Sequence, residues 1–419
     1  MQKKLIALAV AGLASTAAFA QTNVTIYGII DYGYAYRFDA RGLDSKFNEI
    51  PNGQTPDSSS RLDSGIQSGN RLGFKGTEDL GNGLKAVFLA EMGFNADTGS
   101  AAQGGLTFGR QIYAGLSGKF GTAVGGRLYT PFYTQMLKYD PFANGTVGAY
   151  SNVWTPYSKY TIAGGLMNPI RVDNAIAYIS PSFGGVTVTG AFSNNAGGGD
   201  STSNNAQNNS VYAIAADYAG GAFMASANYH YIAGGSSVSS TPTSTVYIPT
   251  TATLTTDAAG NATITGLGIT NPTVWANNPV DNVQNFTLGL GYDFKFMKLT
   301  GTYSWNEAEY AAAGSKKATV NNYLLGASAP FGKWAVKGSY IYSDGNTTAG
   351  GDAQQVALGV DYSLSKRTNL YSAYSWIDNG DQRLSGVGDG SNVGTYDAGN
   401  GYSAGVWQQG FVVGVRHMF

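Results

Sequence analysis

Apolar and polar residues alternate with a period of two along most of the chain. In NVTIYGIIDYGYAYR, Val24, Ile26, Ile30, Tyr32, Tyr34 and Tyr36 share one face, and Thr25, Asp31, Gly33 and Arg37 share the other. FTLGLGYDF sets Phe286, Leu288, Leu290, Tyr292 and Phe294 against Thr287, Gly289, Gly291 and Asp293. In the final stretch, GVWQQGFVVGVRHMF, Phe411, Val413 and Val415 oppose Gly410, Gly414 and Arg416. Such alternation over roughly eight to twelve residues predicts β-strands with one apolar and one polar face. It recurs sixteen times, over 22–37, 68–78, 84–95, 106–117, 121–129, 171–182, 185–194, 210–219, 221–232, 283–294, 297–307, 320–329, 333–343, 353–362, 367–377 and 406–418.

Seven tight turn signals separate pairs of these strands, among them DLGNG from 79, SFGGV from 182 and PFGKW from 330. Longer polar segments separate the hairpins, notably 38–69, 131–170 and 233–281. Short turns on one side and long loops on the other predict an all-β, up-and-down antiparallel sheet. No helical period of useful length offers the apolar faces a cover, so lipid is their natural neighbour. Backbone groups in hydrocarbon find no water, and the sheet must therefore close on itself. Sixteen strands enclose too wide a space for side chains to fill. Arg416 then points into a wet lumen while Val413 and Val415 meet lipid. Tyr and Trp near strand ends, such as Tyr34, Tyr36, Tyr340, Tyr342, Trp376 and Trp407, suit the two membrane interfaces.

Composition agrees. Of 419 residues, 59 are Gly and 28 Tyr, only 12% are charged, and the mean hydropathy is −0.14. That is about half the charge of an ordinary soluble domain. No stretch beyond the N-terminus approaches the roughly 18 apolar residues of a membrane helix. MQKKLIALAVAGLASTAAFA combines two lysines, an apolar run and an A-x-A site at Ala18-Phe19-Ala20, which predicts a signal peptide, 1–20, cleaved after Ala20. Residues 21–419 then form one domain. Removing Lys3 and Lys4 from 25 basic residues leaves 23 against 26 acidic, a net charge of about −3, with no support for nucleic-acid binding. With no Cys and only His230 and His417, thiolate chemistry and His-rich metal sites are excluded, and no cofactor is expected.

The chain resembles the general porins of Gram-negative β-proteobacteria. The matching stretches are NVTIYGIIDYGYAY, NRLGFKGTEDLGNGLKAVFLAEMGF, FGRQIYAGLSGKFGTAVGGRLYTP, IRVDNAIAYISPSFGGV, YLLGASAPFGKW, YSLSKRTNLYSAY and VGVRHMF, in the family's order over nearly the whole mature chain. The resemblance implies a sixteen-stranded transmembrane barrel in the outer membrane, trimeric, with its third outer loop folded inward to narrow the pore. It also implies lipid and lipopolysaccharide as neighbours. The terminal Phe419 would be read by the barrel-assembly machinery.

The segment 131–170, rich in aromatics and prolines, is the expected constriction loop, and 233–281 a long outer loop. Periodicity turns Arg71, Lys75, Lys85, Glu91 and Arg127 toward the lumen, and Arg171 and Asp173 with them. By resemblance the wall arginines of the constriction are Arg71, Arg110 and Arg171, facing the acids Glu91 and Asp140. Strict alternation groups Arg110 with Ile112 and Leu116 on the lipid face, so its inward place needs a bulge near Gly109. Lys75, Lys85 and Arg127 are read as further lumen-facing cations, with Lys75, Lys85, Arg37, Lys337 and Arg416 solvated or paired with a neighbour rather than part of the constriction. Opposed clusters of this kind set a transverse field across the gap, and basic rings favour anions.

The expected function is a water-filled channel for ions and small hydrophilic solutes, weakly anion-preferring. The alternative is a substrate-selective channel with a saturable site, marked by an aromatic track or lysine ladder. An enzyme is not expected: His417 lies on the outward face, and His230 has Ser226 nearby but no evident acid. A purely adhesive or structural barrel would need only about eight to ten strands.

Overall fold

The computed structural model describes residues 23–38, 59–154, 169–194, 210–233, 253–256, 262–265, 280–310, 317–346, 351–380, 385 and 407–419. The expected signal peptide lies outside them, as do 155–168 of the constriction loop and most of 233–281.

Sixteen antiparallel strands form the wall. They are β1 (Asn23–Phe38), β2 (Arg71–Gly81), β3 (Leu84–Gly93), β4 (Gln111–Gly118), β5 (Gly121–Tyr129), β6 (Arg171–Ile179), β7 (Val186–Ser193) and β8 (Ser210–Gly220). The second half comprises β9 (Phe223–Ala233), β10 (Val280–Asp293), β11 (Lys298–Tyr310), β12 (Ala318–Phe331), β13 (Trp334–Gly345), β14 (Ala353–Ser363), β15 (Thr368–Asn379) and β16 (Gln408–Met418). Each pairs with its neighbour in sequence, and β1 pairs with β16 from Ile29↔Met418 to Phe38↔Gln409, which closes the cylinder. Phe419 extends that seam: its N–H donates to Gly28 O at 3.1 Å, and Gly28 N–H donates back at 3.0 Å. All sixteen strands read from periodicity are present. An additional short strand, Ser59–Ser64, pairs with the upper half of β1. A two-stranded hairpin, Thr253–Thr256 with Ala262–Thr265, forms a sheet separate from the wall.

The turn between β2 and β3 shows why DLGNG stops a strand. Gly81, Asn82 and Gly83 take φ of 87°, 54° and 80°, a left-handed run that glycine and asparagine tolerate. Outward positions are apolar and exposed, as at Ile26, Ile176, Leu290, Leu325 and Leu358. Lipid would take up that surface.

The inward wall divides in two. Between β8 and β15 it is lined by an inward-folded segment. Helix α1 (Pro131–Tyr139) packs against β8, β9, β10 and β11, and the single turn α2 (Ser151–Trp154) against β13 and β14. Thr130 caps α1 by accepting from Tyr133 N–H at 3.1 Å, and Pro131 occupies its first turn. Phe132, Met136, Phe142, Val147, Tyr150, Val153 and Trp154 join wall residues Leu324, Ile341 and Ile377 in one buried cluster. Gly289 and Gly326 make the close approach possible: a Cβ on either would lie 2.5 Å from the Tyr139 ring or the Pro141 ring. A second inward segment, 65–70, completes this filling. Ile66 enters the same cluster, and its carbonyl accepts from Thr146 N–H at 2.5 Å. Asp31 on β1 holds it by accepting from Gln67 N–H, Ser68 N–H and the Tyr371 hydroxyl. Arg416 donates to Ser68 Oγ at 2.9 Å and Asn369 Oδ1 at 3.0 Å, so the last strand's inward arginine ties this segment to β15.

On the opposite side, β1 to β7 border an open cavity of about 520 Å³ within the lumen.

The candidate pore constriction

Arg71 opens β2, Arg110 immediately precedes β4, and Arg171 opens β6. Because β2 to β6 are consecutive in the sheet, their loop-proximal ends bring the three guanidinium groups to one patch of wall. Tyr129, the last residue of β5, is the post between them. Its hydroxyl accepts from Arg110 Nη2 at 2.6 Å and Arg171 Nη2 at 3.2 Å, and the Arg171 guanidinium lies 4.9 Å from its ring centre. Tyr133 on α1 packs on Tyr129 with ring centres 4.9 Å apart, tying the inward helix to the arginine patch.

Arg110 reaches the lumen without a bulge near Gly109. The ladder of β4 begins at Gln111, so the alternation that sends Ile112 and Leu116 outward does not govern residue 110. Its buried side chain lies against Gly69, where a Cβ would meet Nη1 at 2.8 Å. The bulge is instead across β5 and β6, where pairing steps from Gly126↔Ala175 to Leu128↔Val172. Gly126 has φ 146° and Asn174 φ 50° there. That extra residue breaks the alternation of β6, so Val172 is buried while Ile176 and Tyr178 face out.

The two acids take different places from the opposed cluster expected of them. Glu91, inward on β3, sits among the arginines, 3.8 Å from Arg71 Nη1 and 3.7 Å from Arg110 Nε. It also accepts from the Tyr27 hydroxyl at 2.9 Å and Gln111 Nε2 at 3.4 Å. Asp140 is buried inside its own loop. It accepts backbone N–H bonds from Phe142 at 2.9 Å, Asn144 at 2.8 Å and Tyr150 at 3.2 Å. Burial outweighs those three donors and pushes its carboxyl up to about 6. Asp140 is the sole acid in 131–170, so this loop turns no carboxylate toward the arginines. Three guanidiniums against one carboxylate leave the wall patch at about +2 by subtraction.

Of the other cations, Lys75 is exposed and lines the open cavity, its Nζ 5.1 Å from the Tyr27 ring centre. Lys85 is exposed near the β2–β3 turn. Arg127 departs from the lumen position expected of it. It pairs across the ladder with Ile112, which is exposed on the outer face, while Val124 and Leu128 are the inward, buried residues of β5. There Arg127 is ion-paired with Asp173 and donates to Gly109 O at 2.9 Å. Strand β5 carries apolar groups on both faces, so its pattern alone does not decide which is which. Tyr129, Tyr133 and Gln111 carry no periodic signal that marks them for the site. The Thr130-Pro131 cap following Tyr129 is the feature that could have shown where the wall turns inward.

The chain matches the Gram-negative porin family over residues 7–382. It is 32% identical to outer membrane porin protein 32 of Delftia acidovorans over 100% of both chains. It is 30% identical to an outer membrane porin protein of Bordetella pertussis, over 90% of this chain and 95% of that one. Among solved structures, the anion-selective porin from Comamonas acidovorans superposes with a TM-score of 0.68 at 26% identity, covering 95% of this chain and 100% of that one. An outer membrane protein of Vibrio cholerae, solved in trimer form, shares the fold with a TM-score of 0.56 at 14% identity over 95% of this chain and 99% of that one. Given this closed wall of two-faced strands and its agreement with those proteins along their full length, the chain belongs to the Gram-negative porin family and is a multi-pass β-barrel of the outer membrane.

Proposed function

We propose that the protein works as a homotrimeric, passive-diffusion channel that favours anions, with Arg71, Arg110 and Arg171 setting the preference. One observation carries this reading: three guanidiniums share one patch with a single carboxylate, while the facing loop's one acid is turned into its own backbone. The low-dielectric wall focuses that excess positive potential into the wet gap. Screening at physiological salt acts over about 8 Å, so the preference weakens as salt rises. The anion selectivity in the Comamonas porin's description and the trimer form of the Vibrio protein point the same way. Lys75 adds to the basic lining. The outward apolar belt suits lipid and lipopolysaccharide as neighbours, and Phe419 at the closing seam suits recognition by the assembly machinery. Ions and small polar solutes pass without chemistry in this reading. The framework is that of a channel rather than an enzyme.

Reversal potentials in planar bilayers under a KCl gradient test it. The parent should favour chloride, and the triple variant Arg71→Ser, Arg110→Ser, Arg171→Ser should lose that preference or turn to potassium. An unchanged reversal potential would remove the arginines from the mechanism.

A further inference from the structure

The two halves of the inward wall differ in what they offer the lumen. Where the inward segments cover it, the wall mixes polar residues, among them Asn285, Thr287, Ser304 and Asn306, with the apolar Leu324, Ile341 and Ile377, all of them buried. Where it stays open to the lumen, it carries an apolar patch. Val87 and Leu89 on β3, Tyr113 on β4, Val124 on β5, and Ala177 and Ile179 on β6 line the 520 Å³ cavity. Polar residues make up about half of the cavity lining, among them Thr25, Lys75, Thr77, Gln111, Ser117 and Thr122. Tyr129 also lines it, and holds Arg110 and Arg171 through its hydroxyl. Lys75 projects into it from β2.

We propose that this wall is a transient binding track for organic monoanions with an apolar body, aromatic carboxylates foremost. The inference deepens the channel reading and rests on it. A chloride ion or a sugar gains nothing from Val87, Leu89 and Val124. An aromatic carboxylate gains twice. Its carboxylate meets the Lys75 ammonium through a charge-assisted hydrogen bond, within the positive potential of the arginines held behind Tyr129. Its ring removes apolar area, its own and the wall's, from lumen water. The cavity lies within the size range of small-molecule sites, roughly 300–1,000 Å³, and sets an apolar patch beside polar groups and one ammonium. Neutral aromatics lack the first interaction and acetate lacks the second, so the pair of features selects for molecules that have both.

The test uses purified protein in planar bilayers. Chloride conductance is recorded first; its absence would end the channel reading itself, separately from this inference. Sodium benzoate, sodium acetate and benzyl alcohol are then titrated. Benzoate should reduce chloride current with saturation, and its own current should saturate, while acetate stays linear and benzyl alcohol has no effect. Val87→Thr, an isosteric change, and Leu89→Asn should each weaken the benzoate block and leave chloride conductance unchanged. Heat-modifiable migration on gels checks that both variants fold. Benzoate as linear as acetate would overturn the proposal, as would equal block by benzyl alcohol. A benzoate block untouched by both folded variants would also overturn it, by assigning the effect to the arginines alone.

Discussion

The half of the wall from β8 to β15 and the half from β2 to β7 are built on the same alternation, yet they do different work. The first has become the floor of a packed interior. Asn285, Thr287, Ser304 and Asn306 bond to one another, as Asn285 Nδ2 does to Ser304 Oγ at 2.9 Å, and the wall carries α1 and α2 above it. The second borders water and holds the arginines, Lys75 and the apolar track. An inward face in a barrel is therefore not one environment. A loop anchored on one side converts that side into core and leaves the remainder as the pore.

Loosening the anchored side should erase the difference. Lys337 on β13 holds the loop from below: its Nζ lies 3.0 Å from Asp361 Oδ2 and 5.3 Å from the Phe142 ring centre. Lys337→Ala leaves Asp361 without its cation and should cost about 3–5 kcal/mol of stability, the usual penalty for breaking a mostly buried pair, and it removes the cation–π contact with Phe142, worth about 0.5–2 kcal/mol of loop docking. Single-channel records should show larger or noisier openings, and limited proteolysis should cut within 131–154. A milder version crowds the same contact. Gly326→Val drives a side chain into Pro141 and should cost about 1–3 kcal/mol, read as a lower unfolding temperature in detergent.

Proton concentration offers a gentler probe. The Asp140 carboxyl is raised from 3.8 to about 6 when the loop is docked. Proton uptake therefore favours the docked state fully below pH 3.8, and that contribution is lost as pH rises through about 6. The unfolding temperature of the parent should fall between about pH 4 and pH 7, relative to Asp140→Asn, in which this dependence disappears. The smallest effect is expected outside the lumen. Arg127→Gln removes a cation that pairs with Asp173 on the outer face, so the reversal potential should not move. A shift as large as that of an Arg71 variant would place Arg127 back in the pore.

Strand number, the closing seam and the outward lipid face were all legible in the residues, because a period of two reports sidedness directly. Arg416, on the small, polar side of β16, is assigned to the interior by alternation alone. Arg71 and Glu91 follow from the same rule. Arg127 does not, because β5 offers Ala123 and Val124 to opposite faces and the alternation fits either choice. Arg110 and Tyr129 escape the rule for another reason: each stands at a strand end, where the ladder no longer dictates direction. The inward segment 65–70 carries no periodic signal. Its place depends on Asp31, Thr146 and Tyr371, which come from β1, the constriction loop and β15.

The chain's own order of residues determined a closed, two-faced cylinder, since lipid outside and unsatisfied backbone within hydrocarbon permit little else. What the cylinder encloses was decided only in three dimensions. Whether a polar inward residue meets water or lies beneath Phe142, and whether Asp140 faces arginines or its own amides, depends on contacts between segments far apart in the chain. No local pattern encodes them.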